Sequence, residues 1–182
     1  MTKLNKGTVF PDLQVTEAFQ GPTTTYALLN DTPTMFIILR YIGCTVCRYD
    51  VHMLIERYQE FKDKGVQVCV VMQSSQENVQ KDLNNTPLPF PLICDTDLNV
   101  YHTLDIAPAS SMEALVGNDL EALKEKGAKA QECGFTHGVY EGNEQQLPAF
   151  FYVNSNHEVE VAHYATTIMD MPNIDTMLEM IK

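Results

Sequence analysis

The 182 residues predict an α/β fold: a central mixed β-sheet flanked by helices, with an N-terminal β extension and an inserted helix–loop segment, all in one domain over 1–182. Three observations carry this. Thr34-Met-Phe-Ile-Ile-Leu-Arg40 and Val66-Gln-Val-Cys-Val-Val-Met72 are near-continuous β-prone runs, the pattern of strands covered on both faces. Between them the apolar period changes from strand to helix. Near the far end, Ala149–Val153 and Glu158–His163 flank an Asn-Ser-Asn-His turn, which reads as an antiparallel hairpin.

The elements follow in order. Short apolar pieces broken by Gly7, Pro11, Gly21-Pro22 and Asn30-Asp31 read as small strands or hairpins. After the first buried strand, Cys47, Val51, Leu54, Ile55, Tyr58 and Phe61 form one stripe of an α-helix that Gly65 ends. After the second, Ser74 to Glu77 fits a capping box opening a short helix through Val79 and Leu83. Strand, helix, strand, helix implies parallel pairing through right-handed crossovers. Leu92-Ile-Cys94 is a short strand, and 97–104 reads as a brief helix. In the 105–146 insertion, Ser110 and Glu113 are expected to cap a helix carrying Met112, Leu115, Val116 and Leu123. A glycine-punctuated surface loop is expected beyond Gly127. Ile174 to Ile181 makes a last amphipathic helix.

Twelve basic against twenty-four acidic residues give a formal charge of −12, which repels phosphate backbones and anionic bilayers. Neither nucleic-acid nor membrane partners are expected. No apolar stretch is longer than that from Met35 to Leu39, which is strand-sized. No apolar signal core follows the first lysines, so a cytoplasmic location is expected. Five scattered cysteines in a reducing compartment point to catalysis or metal binding rather than to a structural framework.

Only Cys44 and Cys47 are close together. Two intervening residues at a helix start let the sulfurs bridge, and the unpaired N–H groups there favour a thiolate. Arg48 follows and adds positive charge; Arg57 is expected to lie too far away. Two rivals stand beside the redox reading. The pair can be inert core, or Cys133 and His137 can complete a zinc site. Cys69, inside a strand, and Cys94 read as structural, and His52 as solvent-facing. Cys133 is a candidate resolving thiol. No nicotinamide or flavin fingerprint is visible, so no cofactor is expected.

The phrase Gly43-Cys-Thr-Val-Cys47 between a strand and a long helix resembles the thioredoxin superfamily. Gln146-Leu-Pro-Ala-Phe-Phe-Tyr-Val153 is similar to that superfamily's cis-proline strand, with Pro148 in the proline position. Gly7 to Leu13, Leu92-Ile-Cys-Asp95 and His163-Tyr164 followed by Asp170-x-Pro172 are similar to the peroxiredoxin-like branch, the alkyl hydroperoxide reductase and thiol-specific antioxidant group. The resemblance implies a thioredoxin-like fold and a redox-active site. Cys44 and Cys47 are catalytic there, with Gly43, Thr45, Val46, Arg48, Leu147 and Pro148 around them and a cis Leu147–Pro148 bond.

The departures from the family pattern are specific. Peroxiredoxins carry P-x-x-x-T-x-x-C; aligning Cys47 with that cysteine puts Cys44 at the threonine and Arg40 at the proline. Residues 129–182 contain no arginine to match the family's later active-site arginine. Thioredoxins have W-C-G-P-C, where this chain has Gly43 and Thr45-Val46. The leading expectation is a thiol–disulfide oxidoreductase acting on a protein or small-molecule thiol or disulfide. An external dithiol, a thioredoxin or glutaredoxin system, would recharge it. The alternatives are a thiol peroxidase acting through a sulfenic acid and a non-catalytic zinc-binding or interaction domain. Cys44, at the exposed helix start, is expected to have the lower pKa and to attack, and Cys47 to be held back by burial.

Overall fold

The computed structural model describes residues 3–181. Their seven strands form one sheet, in chain order β1 (Gln14–Glu17), β2 (Gly21–Thr24), β3 (Thr34–Ile38), β4 (Gln67–Met72), β5 (Leu92–Cys94), β6 (Ala149–Val153) and β7 (Val159–Tyr164). Across the sheet the order is β2-β1-β5-β4-β3-β6-β7. The β3–β4 and β4–β5 pairs are parallel, and the rest are antiparallel. The N-terminal extension is thus a hairpin that prolongs the sheet beyond β5, with Glu17 opposite Ile93.

Strand alternation divides the core into two layers. Met35 and Ile37 face one way with Val68, Val70, Leu92 and Phe150; Phe36 and Ile38 face the other with Cys69, Val71, Ile93 and Phe151. The first layer is covered by α2 (Thr45–Asp63) with α3 (Gln76–Asp82), α5 (Met112–Val116) and α7 (Ile174–Glu179). The second is covered by α1 (Thr25–Leu29) and α4 (Asn99–Thr103). Because both faces are clad, every residue of β3 is buried, as its continuous apolar run requires. Among the described residues no helix is long and apolar enough to cross a membrane.

Several local readings are corrected. The helix α1 appears where only strands were expected. Thr24 caps it by accepting from Ala27 N–H, Asn30 ends it at φ 46°, and five residues are too few to show a helical period. The cap of α3 is Ser75, not Ser74; the Ser74 hydroxyl instead accepts from Ile42 N–H at 2.8 Å. The insertion carries two helices rather than one. Ser111, not Ser110, caps α5, which stops at Gly117 (φ 55°), and α6 (Leu120–Glu132) then runs straight through Gly127. A single glycine inside a helix costs only about 1 kcal/mol, and packing of α6 along α2 offsets that.

Candidate active site

The site forms where β3 runs out. The Tyr101 hydroxyl, from the opposite layer, donates to Leu39 C=O at 2.6 Å, and Gln73 N–H donates to Arg40 C=O at 2.7 Å. With Ser74 holding Ile42, these bonds fix the turn that presents Cys44 to the start of α2. Cys44 is itself the helix cap. Its backbone is extended (φ −72°, ψ 116°), and its sulfur accepts from Cys47 N–H at 3.3 Å, the place a serine or aspartate oxygen usually takes. Cys47, one turn in, begins the buried stripe.

The two sulfurs are 2.7 Å apart, with the Cys44 thiol donating to Cys47. Arg40 lies against them. One guanidinium nitrogen donates to Cys44 Sγ at 3.0 Å and the other to Glu144 C=O at 2.7 Å. A fixed positive charge therefore stands beside the sulfurs, although no arginine follows residue 57. The residue at the family's proline position thus places a guanidinium against the sulfurs. It was visible in the sequence as a charged residue ending a buried strand four positions before Cys44.

The expected exposure of Cys44 is overturned: Cys44 is 1% exposed and Cys47 3%. A strap of residues 135–145 covers the Cys44 side. Gly138 N–H donates to Gly43 C=O at 2.8 Å, Asn143 N–H donates to Gln73 Oε1 at 2.7 Å, and Glu141 accepts from Ser75 N–H and the Asn78 amide. A side chain on Gly43 would meet the backbone of Val139, so only glycine lets the strap lie this close. The expected order of acidity is reversed as well. The hydrogen bond Cys44 gives to Cys47, together with burial, pushes the Cys44 thiol up. Burial also opposes ionisation of Cys47, but the Cys44 hydrogen bond and the Arg40 charge outweigh it and draw Cys47 down to about 6. The two share one proton and ionise as a unit, with the charge on Cys47.

A small cavity, about 10 Å³, adjoins Cys47 and not Cys44, walled by Arg40, Val46, Asp50, Lys126 and Pro148. Pro148 therefore does stand beside the pair, but the Leu147–Pro148 bond is trans, not cis. The chain is already extended when it reaches this proline. Pro148 C=O accepts from Ala165 N–H at 3.2 Å and Ala149 pairs with both Ile38 and Tyr164, so no reversal is needed.

The remaining expected site residues divide. Val46 is buried in the cavity wall, Leu147 packs on the core, and Thr45 is half-buried in the first turn of α2. Arg48 turns away: it pairs with Asp82, and its guanidinium lies over the Phe135 ring at 4.6 Å. Arg57 is engaged with Glu60 and Asp175. His52 is half-buried beside Phe135 rather than facing solvent. His137 bonds the Tyr41 hydroxyl at 3.2 Å while Cys133 is exposed. Among the described residues no three His, Cys, Asp or Glu side chains converge to hold a metal. Burial pushes Cys69 well up and Cys94 up to about 12, so both are poor nucleophiles.

Asp50 and Lys126 were not anticipated. Lys126 comes from α6, seventy-six residues beyond Asp50, and its Nζ lies 2.6 Å from Asp50 Oδ1. Nothing local in the sequence joins them.

No curated protein matches the chain. Solved structures do. Yeast mitochondrial 1-Cys peroxiredoxin aligns at TM-score 0.69 and 15% identity, over 96% of this chain and 73% of that one. AhpC of Mycobacterium tuberculosis aligns at 0.66 and 16%, over 99% and 92%. A putative thiol:disulfide interchange protein DsbE of Chlorobium tepidum aligns at 0.62 and 15%, over 99% and 100%. At these identities the likeness establishes the thioredoxin-like fold. The family model for AhpC/TSA matches residues 7–162, nearly the whole span from the first bridge to β7, and the protein is accordingly a member of the AhpC/TSA family and a thiol-dependent redox enzyme.

Proposed function

We propose that the enzyme is a thiol peroxidase in which Cys47 attacks a hydroperoxide and Cys44 resolves the product. The observation that carries this is the burial of both sulfurs beside a cavity of about 10 Å³. That space takes about one small oxygen-bearing group; a protein disulfide does not fit it. The Cys47 thiolate attacks the terminal oxygen, the O–O bond breaks, and a sulfenic acid forms on Cys47. The Cys44 thiol then attacks that sulfur, water leaves, and a Cys44–Cys47 disulfide remains. An external dithiol of the thioredoxin or glutaredoxin kind, as in a reducing cytoplasm, reopens it.

Stopped-flow mixing of reduced protein with hydrogen peroxide should show fast consumption and an internal disulfide by peptide mapping. C44S should consume one equivalent and leave a dimedone-reactive Cys47, and C47S should consume none. Peroxide consumption that survives in C47S and is lost in C44S would overturn the assignment. The second reading is disulfide exchange led by Cys44. Its support is the Cys44 sulfur at the helix start, accepting from Cys47 N–H; it requires the strap to lift first.

A further inference from the structure

The proposed attack leaves an alkoxide, or hydroxide, in the small cavity beside Cys47. That anion is strongly basic, because its parent alcohol or water is a very weak acid. It needs a proton where it forms, and few groups around it have one. Arg40 faces the sulfurs, but a guanidinium does not release its proton in a protein. Leu39, Val46, Pro148, Ile168 and Met171 have none to give. Asp50 accepts from the Lys126 ammonium. The Cys44 thiol holds a proton, but it gives it to the Cys47 sulfur and does not line the cavity.

We infer that Lys126 is a catalytic residue of the peroxidase, the general acid that protonates the leaving oxygen when Cys47 takes the other. This rests on the peroxidase reading above. Three observations place it there. Lys126 and Asp50 both line the Cys47 cavity. They are held to each other at 2.6 Å, so the ammonium is fixed rather than swinging in solvent. The same two residues also line a second, open groove of about 650 Å³ between α2, α6 and residues 168–177. With Leu39, Ile168 and Met171, the pair therefore stands between the small cavity beside Cys47 and the open groove, and it is the only polar part of that wall. Asp50 keeps the amine charged despite its partial burial.

The step balances. The thiolate and HO–OR give the sulfenic acid and RO⁻. Lys126 ammonium and RO⁻ give ROH and the neutral amine, which regains its proton from water in the groove. No outside oxidant or reductant enters. The bond from Lys126 to Asp50 is the positioning contact, and the groove is the return path for the proton.

The test uses two oxidants that differ in what leaves. Hydrogen peroxide releases hydroxide, which needs a proton; performic acid, the smallest peracid, releases formate, which does not. Lys126→Arg keeps the charge and the pairing with Asp50 but removes the transferable proton. General acid catalysis contributes about 10²–10⁴-fold, so K126R should lower the second-order rate constant for hydrogen peroxide at least about tenfold. It should leave that for performic acid within about twofold of wild type. The peracid arm also reports that the variant is folded and its Cys47 ionised. Should K126R pack poorly, D50N/K126Q, which buries no lone carboxylate, must show the same split. K126R matching wild type with both oxidants, or both rates falling in parallel, would overturn the assignment. Wild-type protein inert to both oxidants would instead remove the peroxidase reading itself.

Discussion

Replacing Arg40 by methionine tests the electrostatics of the site directly. Among the described residues the guanidinium is the only fixed full charge bonded to the sulfurs, with Nη2 at 3.0 Å from Cys44 Sγ, and Cys47 ionises at about 6. A facing opposite charge is worth about 1–3 pKa units, so its loss should move Cys47 to about 8, taking the middle of that range. At pH 7 the thiolate fraction then drops from about nine-tenths to about one-tenth, and the peroxide rate falls about tenfold. Above pH 9 the two proteins should converge. Ultraviolet thiolate absorbance of reduced R40M across pH, taken as a difference from R40M/C47S, gives the midpoint; the peroxide rate over the same range gives its consequence. R40K, which keeps a charge, should stay near wild type. Superimposable titration curves for wild type and R40M would refute the reasoning. They would leave the Cys44 hydrogen bond and the helix N–H groups as sufficient causes.

Two further outcomes follow from features already described. Gly43→Ala puts a Cβ within 2.8 Å of Val139 N and closer still to its carbonyl oxygen. The variant should lose about 1–3 kcal/mol in urea unfolding and expose the strap to limited proteolysis. Stability of the reduced protein should also depend on Cys47. Its folded value near 6 lies below the unfolded value of about 8.5, so the folded state holds fewer protons between the two. That contribution is present above the unfolded value and lost as pH falls through about 6. The melting temperature should therefore be higher at pH 8 than at pH 6, and C47S should flatten the difference.

What the sequence disclosed followed the range of the interaction. Strands buried on both faces and a long amphipathic helix write their periods into consecutive residues, so β3, α2 and β4 were legible within a residue or two. The Cys44–Cys47 pair was legible for the same reason, since its chemistry is local to one helical turn. Caps slipped by one residue because Ser74-Ser75 and Ser110-Ser111 offer two equivalent oxygens each; at the first pair the tertiary bond from Ile42 N–H engages Ser74 and leaves Ser75 to cap. Burial of Cys44 was not legible. It depends on a strap some ninety residues away, held backbone to backbone at Gly43 and Gly138 and through the Gln73 and Glu141 side chains. The Asp50–Lys126 pair was invisible for the same reason, being made only when α6 packs along α2.

The 2.7 Å between the sulfurs bears on how such an enzyme survives its own substrate. A sulfenic acid can be captured by a neighbouring thiol or oxidised again to a sulfinic acid that ordinary reductants do not rescue. The outcome is a race between an intramolecular and a bimolecular step. Well-oriented partners reach effective concentrations of about 10⁵ M, far above any peroxide a cell contains. Here the rescuing thiol sits in the same turn of helix, so capture requires no unwinding of α2 and no loop excursion. On the proposed cycle the oxidised intermediate is short-lived, a second peroxide seldom finds it, and the protein is built to go on scavenging through an oxidative burst instead of being silenced by it.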